Sequence, residues 1–365
     1  MQPQMQLKKS VNKMNKINDK MILKLSDTLH DAAMLYYYGS INEEVDNTRV
    51  TNYNLEKGRL NYYESLLQVI NYFLEIDDIN SSHLEEGTIE KITTLFKKLD
   101  QSIEENGLNS EEVRKALLLL DIKGFKNLNY PLDLITPDNV GYIISKIVEA
   151  MYKNKKINLL DFNVGVGNLL FTIVNNIDNE VEMVGIDNHA LMARVVTSKA
   201  NLLQEQMVIY HQDALEIIPS GINLVVSDIA AYEYENQDYS SELYDEGVRY
   251  FPYLAIEHYL NIKNPCTYIY IIDSDFFSKF GNDKFKNMLG KKATLKAFVT
   301  LPPDMFQKES EFKSLLILNN TPRADKEMYM YESSSLGMHM YVLPSLKKKN
   351  AFLNKMSDLL NELLK

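Results

Sequence analysis

The feature that most constrains the fold is an alternation of short apolar runs with helical stretches, which begins after the segment DIKGFKNLNYPLDLITPDN. The apolar runs are rich in β-branched residues, as buried strands are. Such an alternation predicts a parallel sheet with crossover helices. The strand candidates are enough for a complete open α/β sheet, and they lie at residues 157–161, 181–187, 207–211, 222–228, 267–273, 295–301 and 314–318.

The first third of the chain has a different pattern, with apolar residues three and four positions apart from about residue 21 to residue 120. This spacing predicts an all-α region. We therefore expect a flexible basic tail over residues 1–20, an all-α N-terminal domain over 21–128 and an α/β domain over 129–345. Residues 346–365 have their apolar side chains on one helical face and predict a C-terminal docking helix.

Composition restricts the class of protein. The chain has 365 residues, of which 45% are hydrophobic, so it can bury a full α/β core. It contains no apolar run of about 18 residues, the length that a membrane span needs. The single cysteine, Cys266, excludes an internal disulfide framework and a cysteine-based zinc cluster. We expect a soluble, cytoplasmic protein without a metal site.

A glycine-containing turn, NLLDFNVGVGNLL, follows the first strand candidate and places Gly165 and Gly167 directly after Asp161. In open α/β sheets, ligands lie at this end of the strands, where a helix N-terminus points at the crevice. A dinucleotide fingerprint requires a third glycine, but position 170 is Leu, so a pyrophosphate ligand is disfavoured. Taken alone, the two glycines are also compatible with a plain strand-to-helix turn.

Carboxylates at the ends of the next two strand candidates favour a ligand. Asp187 ends the second candidate, where an acidic side chain meets a ribose diol in nucleoside-binding sheets. Asp213 follows the third candidate, where a carboxylate can accept from an adenine amino group. Clustering these groups with Asp161 is costly unless a ligand occupies the gap between them. The three positions together predict a nucleoside ligand.

Three segments resemble the N6-adenine DNA methyltransferases. DFNVGVGNLL is similar to the D-P-A-x-G-x-G-x-L-L motif of that family, ITPDNVGYII to its upstream T-P motif, and LPPDMFQKESEFKSLLIL to its late strand with an L-P-x-x-x-F segment. The resemblance covers roughly residues 130–320, and the helical N-terminal domain makes it closest to the short YtxK-like branch, which lacks a separate DNA-specificity domain. It implies a Rossmann-like class I methyltransferase sheet of about seven strands.

The resemblance also implies that S-adenosylmethionine (SAM) is the cofactor and methyl donor. The cofactor-binding residues it implies are Thr136, Pro137, Asp161, Gly165, Gly167, Asp187 and Asp213. Where the family has D-P-A, this chain has Asp161, Phe162 and Asn163. This departure changes the stiffness of the turn rather than removing a contact group.

The loop that holds the methyl acceptor departs further from the family. Its motif, [N/D/S]-P-P-[Y/F], holds the target amine with two acceptors and stacks the flipped base on an aromatic ring. Here the segment reads VVSDIAAYEY, so Asp228 keeps the acceptor, whereas Ile229 and Ala230 replace the two prolines. The aromatic position holds Ala231, with Tyr232 one place later. We expect Asp228 and Tyr232 to be the catalytic residues, with Tyr234 as the alternative stacking ring.

The altered loop leaves two functions open. One is a SAM-dependent methyltransferase of N6-adenine type with low activity, and the other is a catalytically silent SAM-binding regulatory or interaction protein. Restoring the prolines is expected to raise activity if the chemistry is latent. The net charge of -11 and an acidic segment after the loop predict weak DNA binding. A protein partner or a homo-oligomer through the helical N-terminal domain is also left open.

Overall fold

The computed structural model describes residues 17–39, 61–81, 84–306, 313–321 and 340–364. The chain divides into two compact units. The first comprises Met1–Ile135 together with His189–Met207, and the second comprises Thr136–Asn188 together with Val208–Lys365. Residues 1–16 of the expected flexible tail lie outside the described residues. No helix in the described ranges is long and apolar enough to cross a membrane.

The first unit is helical. Its helices are α1 (Asp19–Gly39), α2 (Tyr62–Phe73), α3 (Thr88–Asn106), α4 (Ser110–Leu128) and α7 (Ala190–Leu203). Asn61 and Asn109 begin α2 and α4 with capping boxes, in which the asparagine side chain accepts from the third backbone N–H of the helix and a glutamate at that position accepts in return. The interior is formed by apolar side chains at helical spacing, such as Leu25 and Leu29.

Helix α7 belongs to the helical unit although it is distant from the other helices in sequence. Its Lys199 ammonium donates to Oδ2 of Asp121 in α4 at 2.6 Å, and both side chains are almost completely buried. At its exposed side, Arg194 forms an ion pair with Glu64 of α2 at 3.1 Å. The predicted domain bounds treat the N-terminal helices as a continuous segment, whereas this compact unit includes a later helix.

The second unit contains a sheet whose strands follow the spatial order β3-β2-β1-β4-β5-β7-β6-β8. The strands are β1 (Ile157–Asp161), β2 (Val181–Asp187), β3 (Met207–His211), β4 (Leu224–Asp228), β5 (Thr267–Asp273), β6 (Thr294–Thr300), β7 (Lys313–Asn319) and β8 (Met340–Val342). The α/β class with a Rossmann-like methyltransferase sheet is confirmed. Helix α7 follows β2 and precedes β3 in the sequence, but it belongs to the helical unit.

Two details of the sheet differ from the prediction. Strand β7 runs antiparallel to both β5 and β6, so the sheet is mixed rather than wholly parallel. An eighth strand, β8, pairs in parallel with the edge strand β6. It has three residues, none of them buried, so the sequence lacks the apolar run that marks the other strands.

The remaining helices are α5 (Asp138–Tyr152), α6 (Asn168–Asn175), α8 (Glu242–Asp245), α9 (Phe251–Tyr259), α10 (Asn282–Lys292) and α11 (Lys349–Leu363). Helix α11 packs against α5 and β8 and buries Met356, Leu359 and Leu363. Strands β4 and β5 are buried along almost their whole length. The core therefore supports the ends of these strands, where the polar residues of the candidate site lie.

Candidate functional site

Five carboxylates follow the sheet along the carboxyl ends of neighbouring strands. In the spatial order of the strands they are Asp213, Asp187, Asp161, Asp228 and Asp273. Burial is the main cause that raises the pKa of Asp161, and the charges of Asp228 and Asp187 raise it further, so these three carboxylates interact electrostatically. Within the described residues, no cluster of histidine, cysteine or acidic side chains could hold a metal ion.

The glycine turn between β1 and α6 requires glycine at both expected positions. Gly165 has a φ of 50° and Gly167 a φ of 77°, which is the left-handed region that other residues adopt at a cost. The N–H of Gly165 donates to Oδ2 of Asp187 at 2.9 Å, so the carboxylate at the end of β2 holds the turn. A Cβ atom added at Gly165 would meet just one atom within 4 Å, the carbonyl oxygen of Asn163 at 4.0 Å. The backbone thus faces open space at this position.

Asp161 lies beneath the turn, with 2% of its surface exposed. Its Oδ1 accepts from the backbone N–H of Asn163 at 3.0 Å and from the hydroxyl of Ser227 at 2.8 Å. Burial raises the pKa of Asp161 to about 7, while these two hydrogen bonds oppose the rise. The carboxyl group is thus balanced between its neutral and charged forms near neutral pH. Asn163 also has a buried Oδ1 for which the described residues supply no hydrogen-bond partner.

The T-P segment, Thr136 and Pro137, contacts both the start of α6 and the end of β4. Asn168, at the start of α6, donates from Nδ2 to the carbonyl oxygen of Thr136 at 2.8 Å and to Oδ1 of Asp138 at 3.1 Å. Pro137 precedes the first residue of α5. The hydroxyl of Thr136 donates to Oδ2 of Asp228 at 2.8 Å. Thr136, which the resemblance implies to be a cofactor residue, thus contacts Asp228, which it implies to be a catalytic residue.

Asp213 is tied to the loop that follows β4. Its Oδ1 accepts from the backbone N–H of Leu215 at 2.8 Å, which forms a local turn, and its Oδ2 accepts from the hydroxyl of Tyr234 at 2.9 Å. Tyr234 is buried, with 6% of its surface exposed. Its hydroxyl therefore positions Asp213, and a role as a mobile stacking ring would require breaking this hydrogen bond.

Tyr232 is placed differently, with 42% of its surface exposed. Its ring stacks on Phe251 at a centroid distance of 4.5 Å and an interplanar angle of 15°. The backbone is fixed at this point because the carbonyl oxygen of Tyr232 accepts from the N–H of Phe251 at 2.9 Å. Of the two tyrosines, Tyr232 is the one that can present a ring to a planar ligand.

The structure gives a physical reason for the missing prolines of the loop. The N–H of Ile229 donates to the carbonyl oxygen of Ile271 in β5 at 3.1 Å, which extends the ladder between β4 and β5 by one residue. The side chain of Ile229 is 3% exposed. A proline at this position would remove the donor and the buried side chain together. Restoring the prolines would therefore disturb the sheet as well as the loop, and the expectation of a simple gain in activity needs this correction.

The sequence analysis did not predict that a lysine forms an ion pair with Asp228. The Nζ of Lys313, at the start of β7, donates to Oδ1 of Asp228 at 2.8 Å. The side chains are 18% and 14% exposed, respectively. The sequence signal for Lys313 was a single cation before the apolar run SLLIL, and its partner could be identified only once the antiparallel placement of β7 was known.

Asp273 ends β5 directly opposite Lys313 in the β5–β7 pairing. On sequence grounds this carboxylate could cap the helix that begins at Phe276. The residue before that short helix is instead Asp275, which makes no side-chain capping hydrogen bond. Burial raises the pKa of Asp273, and the ammonium of Lys313 opposes the rise. Asp273 thus belongs to the charged group around Lys313.

Comparisons with known proteins agree with this fold. No family model matches the chain. Among curated proteins, the uncharacterized protein YtxK of Bacillus subtilis (strain 168) is 29% identical over 253 residues, which covers 67% of this chain and 75% of YtxK.

Two solved structures are similar over most of the chain. A protein from Listeria monocytogenes, described as a candidate class I SAM-dependent methyltransferase, matches with a TM-score of 0.73 and 22% identity over 95% of this chain and 100% of its own. The methyltransferase subunit of a type I restriction-modification system from Streptococcus thermophilus matches with a TM-score of 0.56 and 12% identity, covering 85% and 86%. At these identities the similarity concerns the fold, which is that of class I SAM-dependent methyltransferases.

Proposed function

We propose that this protein binds SAM at the glycine turn and is a methyltransferase of the N6-adenine type whose transfer step is slow. SAM binding is supported by the hydrogen bond that the N–H of Gly165 donates to Asp187. This bond joins the turn after β1 to the carboxylate that ends β2. The identity with YtxK supports placing the chain in the same branch. The proposal includes the assignments of Thr136, Pro137, Asp161, Gly165, Gly167, Asp187 and Asp213 to the cofactor site.

The residues at the turn fit a SAM molecule. The open space before Gly165 lets a ligand approach the backbone, and a side chain there would fill that space. A carboxylate has about four lone-pair sites, so Asp187 can accept from ribose hydroxyls while it also accepts from Gly165. Asp213 can accept from the adenine amino group in the same way.

SAM, when bound, supplies a methyl group on a positively charged sulfur. On the acceptor side, Asp228 accepts a hydrogen bond from the target amine and orients its lone pair, and Tyr232 stacks on the target ring. No general base is required, since the amine can lose its proton to solvent after attack. The negative net charge disfavours the DNA backbone, so DNA binding is expected to be weak and to disappear at moderate salt.

A second function, a SAM-binding regulatory or interaction protein without turnover, is favoured by a specific observation. Both oxygens of Asp228 already accept hydrogen bonds, one from Thr136 and one from Lys313. A target amine would have to compete with these two donors for the carboxylate oxygens. The two functions share the cofactor site and differ in the rate of transfer.

Calorimetric titration of SAM into the full chain tests the shared part of the proposal. Each charge-assisted hydrogen bond to Asp187 is worth about 1.5 to 3 kcal/mol, so Asp187→Ala is expected to weaken SAM binding roughly 10- to 100-fold. Asp228→Ala is the matched control and is expected to leave the SAM affinity nearly unchanged, because its carboxylate faces the acceptor. Absence of SAM binding by the parent, or equal affinity of Asp187→Ala and the parent, would show that the cofactor assignment is wrong.

A further inference from the structure

We propose that Lys313 determines access to the acceptor site: it occupies the position of the target amine on Asp228 and shifts toward Asp273 when an amine substrate binds. The inference rests on the proposed function, because it assumes that Asp228 is the amine acceptor. It adds a residue from β7 that the motif comparison does not include. It also makes the transfer rate depend on a side chain outside the loop SDIAAYEY.

The geometry around Asp228 supports the first part of the proposal. The ammonium of Lys313 lies 2.8 Å from Oδ1, and the hydroxyl of Thr136 lies 2.8 Å from Oδ2. Lys313 thus presents a nitrogen with its protons directed at the carboxylate, which is what a bound target amine would present. A neutral amine makes a weaker hydrogen bond to a carboxylate than an ammonium does. The internal lysine is therefore a strong competitor for the same oxygen.

Burial explains why the competitor cannot simply leave. The side chains of Lys313 and Asp228 are 18% and 14% exposed, so separating them in place would leave two charges with little water around them. Displacement by a neutral amine becomes favourable only if the ammonium finds a second anionic partner nearby.

Asp273 has the position and the charge to be that partner. It faces Lys313 across the β5–β7 pairing, and the Lys313 ammonium opposes the rise in the pKa of Asp273 that burial causes. The charge of Asp228 raises the pKa of Asp273, so both the lysine and the other carboxylate act on Asp273. A shift of Lys313 from Asp228 toward Asp273 exposes Oδ1 to the substrate and keeps the lysine paired.

The test measures binding of a neutral adenine nucleoside to the full chain saturated with S-adenosylhomocysteine (SAH), which carries no transferable methyl group. The probe is 2′-deoxyadenosine, and the matched probe is purine 2′-deoxyriboside, which lacks the amine. Lys313→Ala removes the competitor, whereas Lys313→Arg keeps the positive charge. Lys291→Ala is the matched control, since Lys291 forms an exposed pair with Glu242 at 3.3 Å in the same unit.

Lys313→Ala is expected to bind 2′-deoxyadenosine about tenfold more tightly than the parent, with no such gain for the purine 2′-deoxyriboside. Lys313→Arg and Lys291→Ala are expected to behave like the parent. Asp273→Asn is expected to weaken 2′-deoxyadenosine binding in the parent and to have no effect in the Lys313→Ala background, because the shifted lysine is then absent. Thermal unfolding and SAH affinity verify that each variant is folded.

Three results would overturn the inference, and the third would also show that the proposed function is wrong. If SAH binds every variant and Lys313→Ala binds 2′-deoxyadenosine no better than the parent, Lys313 does not control access. If Asp273→Asn has the same effect in both backgrounds, Asp273 does not receive the lysine. If the parent binds neither SAH nor SAM, the proposed function fails, and the inference fails with it for that separate reason.

Discussion

Two lysine–aspartate pairs in this protein have the same chemistry and different surroundings. Lys199 and Asp121 lie in the helical unit with an N–O distance of 2.6 Å and side chains that are 5% and 2% exposed. Lys313 and Asp228 lie in the α/β unit with a distance of 2.8 Å and side chains that are 18% and 14% exposed. The first pair is sealed from water, and the second lies at the edge of the sheet where a ligand is expected.

The neighbours of each pair add to this difference. Asp121 also accepts from the hydroxyl of Tyr63 at 3.2 Å, and burial raises the pKa of Asp121 against the opposing effect of Lys199. Neither ion can be exposed without opening the helical unit, so this pair is a fixed part of the structure. Lys313 has a second carboxylate, Asp273, across the strand pairing. We therefore expect partial exposure and an alternative partner to make the second pair exchangeable, whereas the first pair is structural.

The largest expected effect is on stability. Breaking a buried ion pair by removing one partner costs about 3 to 5 kcal/mol, so Lys199→Ala is expected to lower the free energy of unfolding by that amount. Lys313→Ala is expected to lower it by a smaller amount, about 1 to 2 kcal/mol, because Asp228 is partly exposed and keeps Thr136 as a donor. Urea denaturation of both variants measures the difference. Equal losses would show that the two pairs do not differ in the way described.

The next effect separates strain in the glycine turn from its role in binding. Gly165→Ala introduces a side chain at a left-handed position and into the open space of the site, and it is expected to weaken SAM binding at least about tenfold. Gly87→Ala is the matched control: its φ is 82° and an added Cβ meets nothing within 4 Å. Both are expected to lose about 1 to 2 kcal/mol of stability. Calorimetry would contradict the assignment if both variants bound SAM like the parent.

The smallest expected effect is a pH dependence. Since the pKa of Asp161 is about 7 when folded and about 4 when unfolded, its stabilising contribution is present at acid pH and is lost as the pH rises through about 7. A positively charged ligand favours the ionised form, so SAM affinity is expected to rise several-fold, up to about tenfold, from pH 6 to pH 8.

The control for the pH dependence is SAH, which lacks the positive sulfur and is expected to change less over the same range. Asp161→Asn is expected to remove the difference between the two ligands. Titrations at several pH values in matched buffers measure both affinities. A rise of equal size for SAM and SAH in the parent would argue against an effect of the sulfonium charge on Asp161.

The local sequence pattern was sufficient to predict where most strands of the sheet lie along the chain. Four strand candidates, 157–161, 181–187, 207–211 and 267–273, coincide with β1, β2, β3 and β5, because each is an apolar run that ends in turn-forming or charged residues. The direction of β7 could not be derived in this way, since a strand reads alike in parallel and antiparallel pairings. The short and exposed β8 had no apolar signal at all.

The same limit applies to the site. The glycine turn of Gly165 and Gly167 and its contact with Asp187 depend on the nearest strands and turn, so the local sequence pattern indicated them, whereas their roles toward a cofactor stay a prediction. Lys313 acts on Asp228 through strand β7, which returns antiparallel beside β5, and no local spacing links the two residues. The buried N–H of Ile229 is a similar case, since its acceptor is in another strand. Contacts between strands distant in sequence therefore account for what the motifs did not contain.

The most direct test of the central claim, a complete cofactor site beside an acceptor carboxylate occupied by Lys313, is one NMR experiment with SAM labelled with ¹³C in its transferable methyl group. Adding the full chain and unmethylated DNA is expected to shift or broaden the methyl signal through binding. Growth of an N-methyl signal is expected to be far slower than the turnover of typical enzymes, about 10 per second, and faster in Lys313→Ala. An unchanged methyl signal, or rapid transfer by the parent, would contradict the claim.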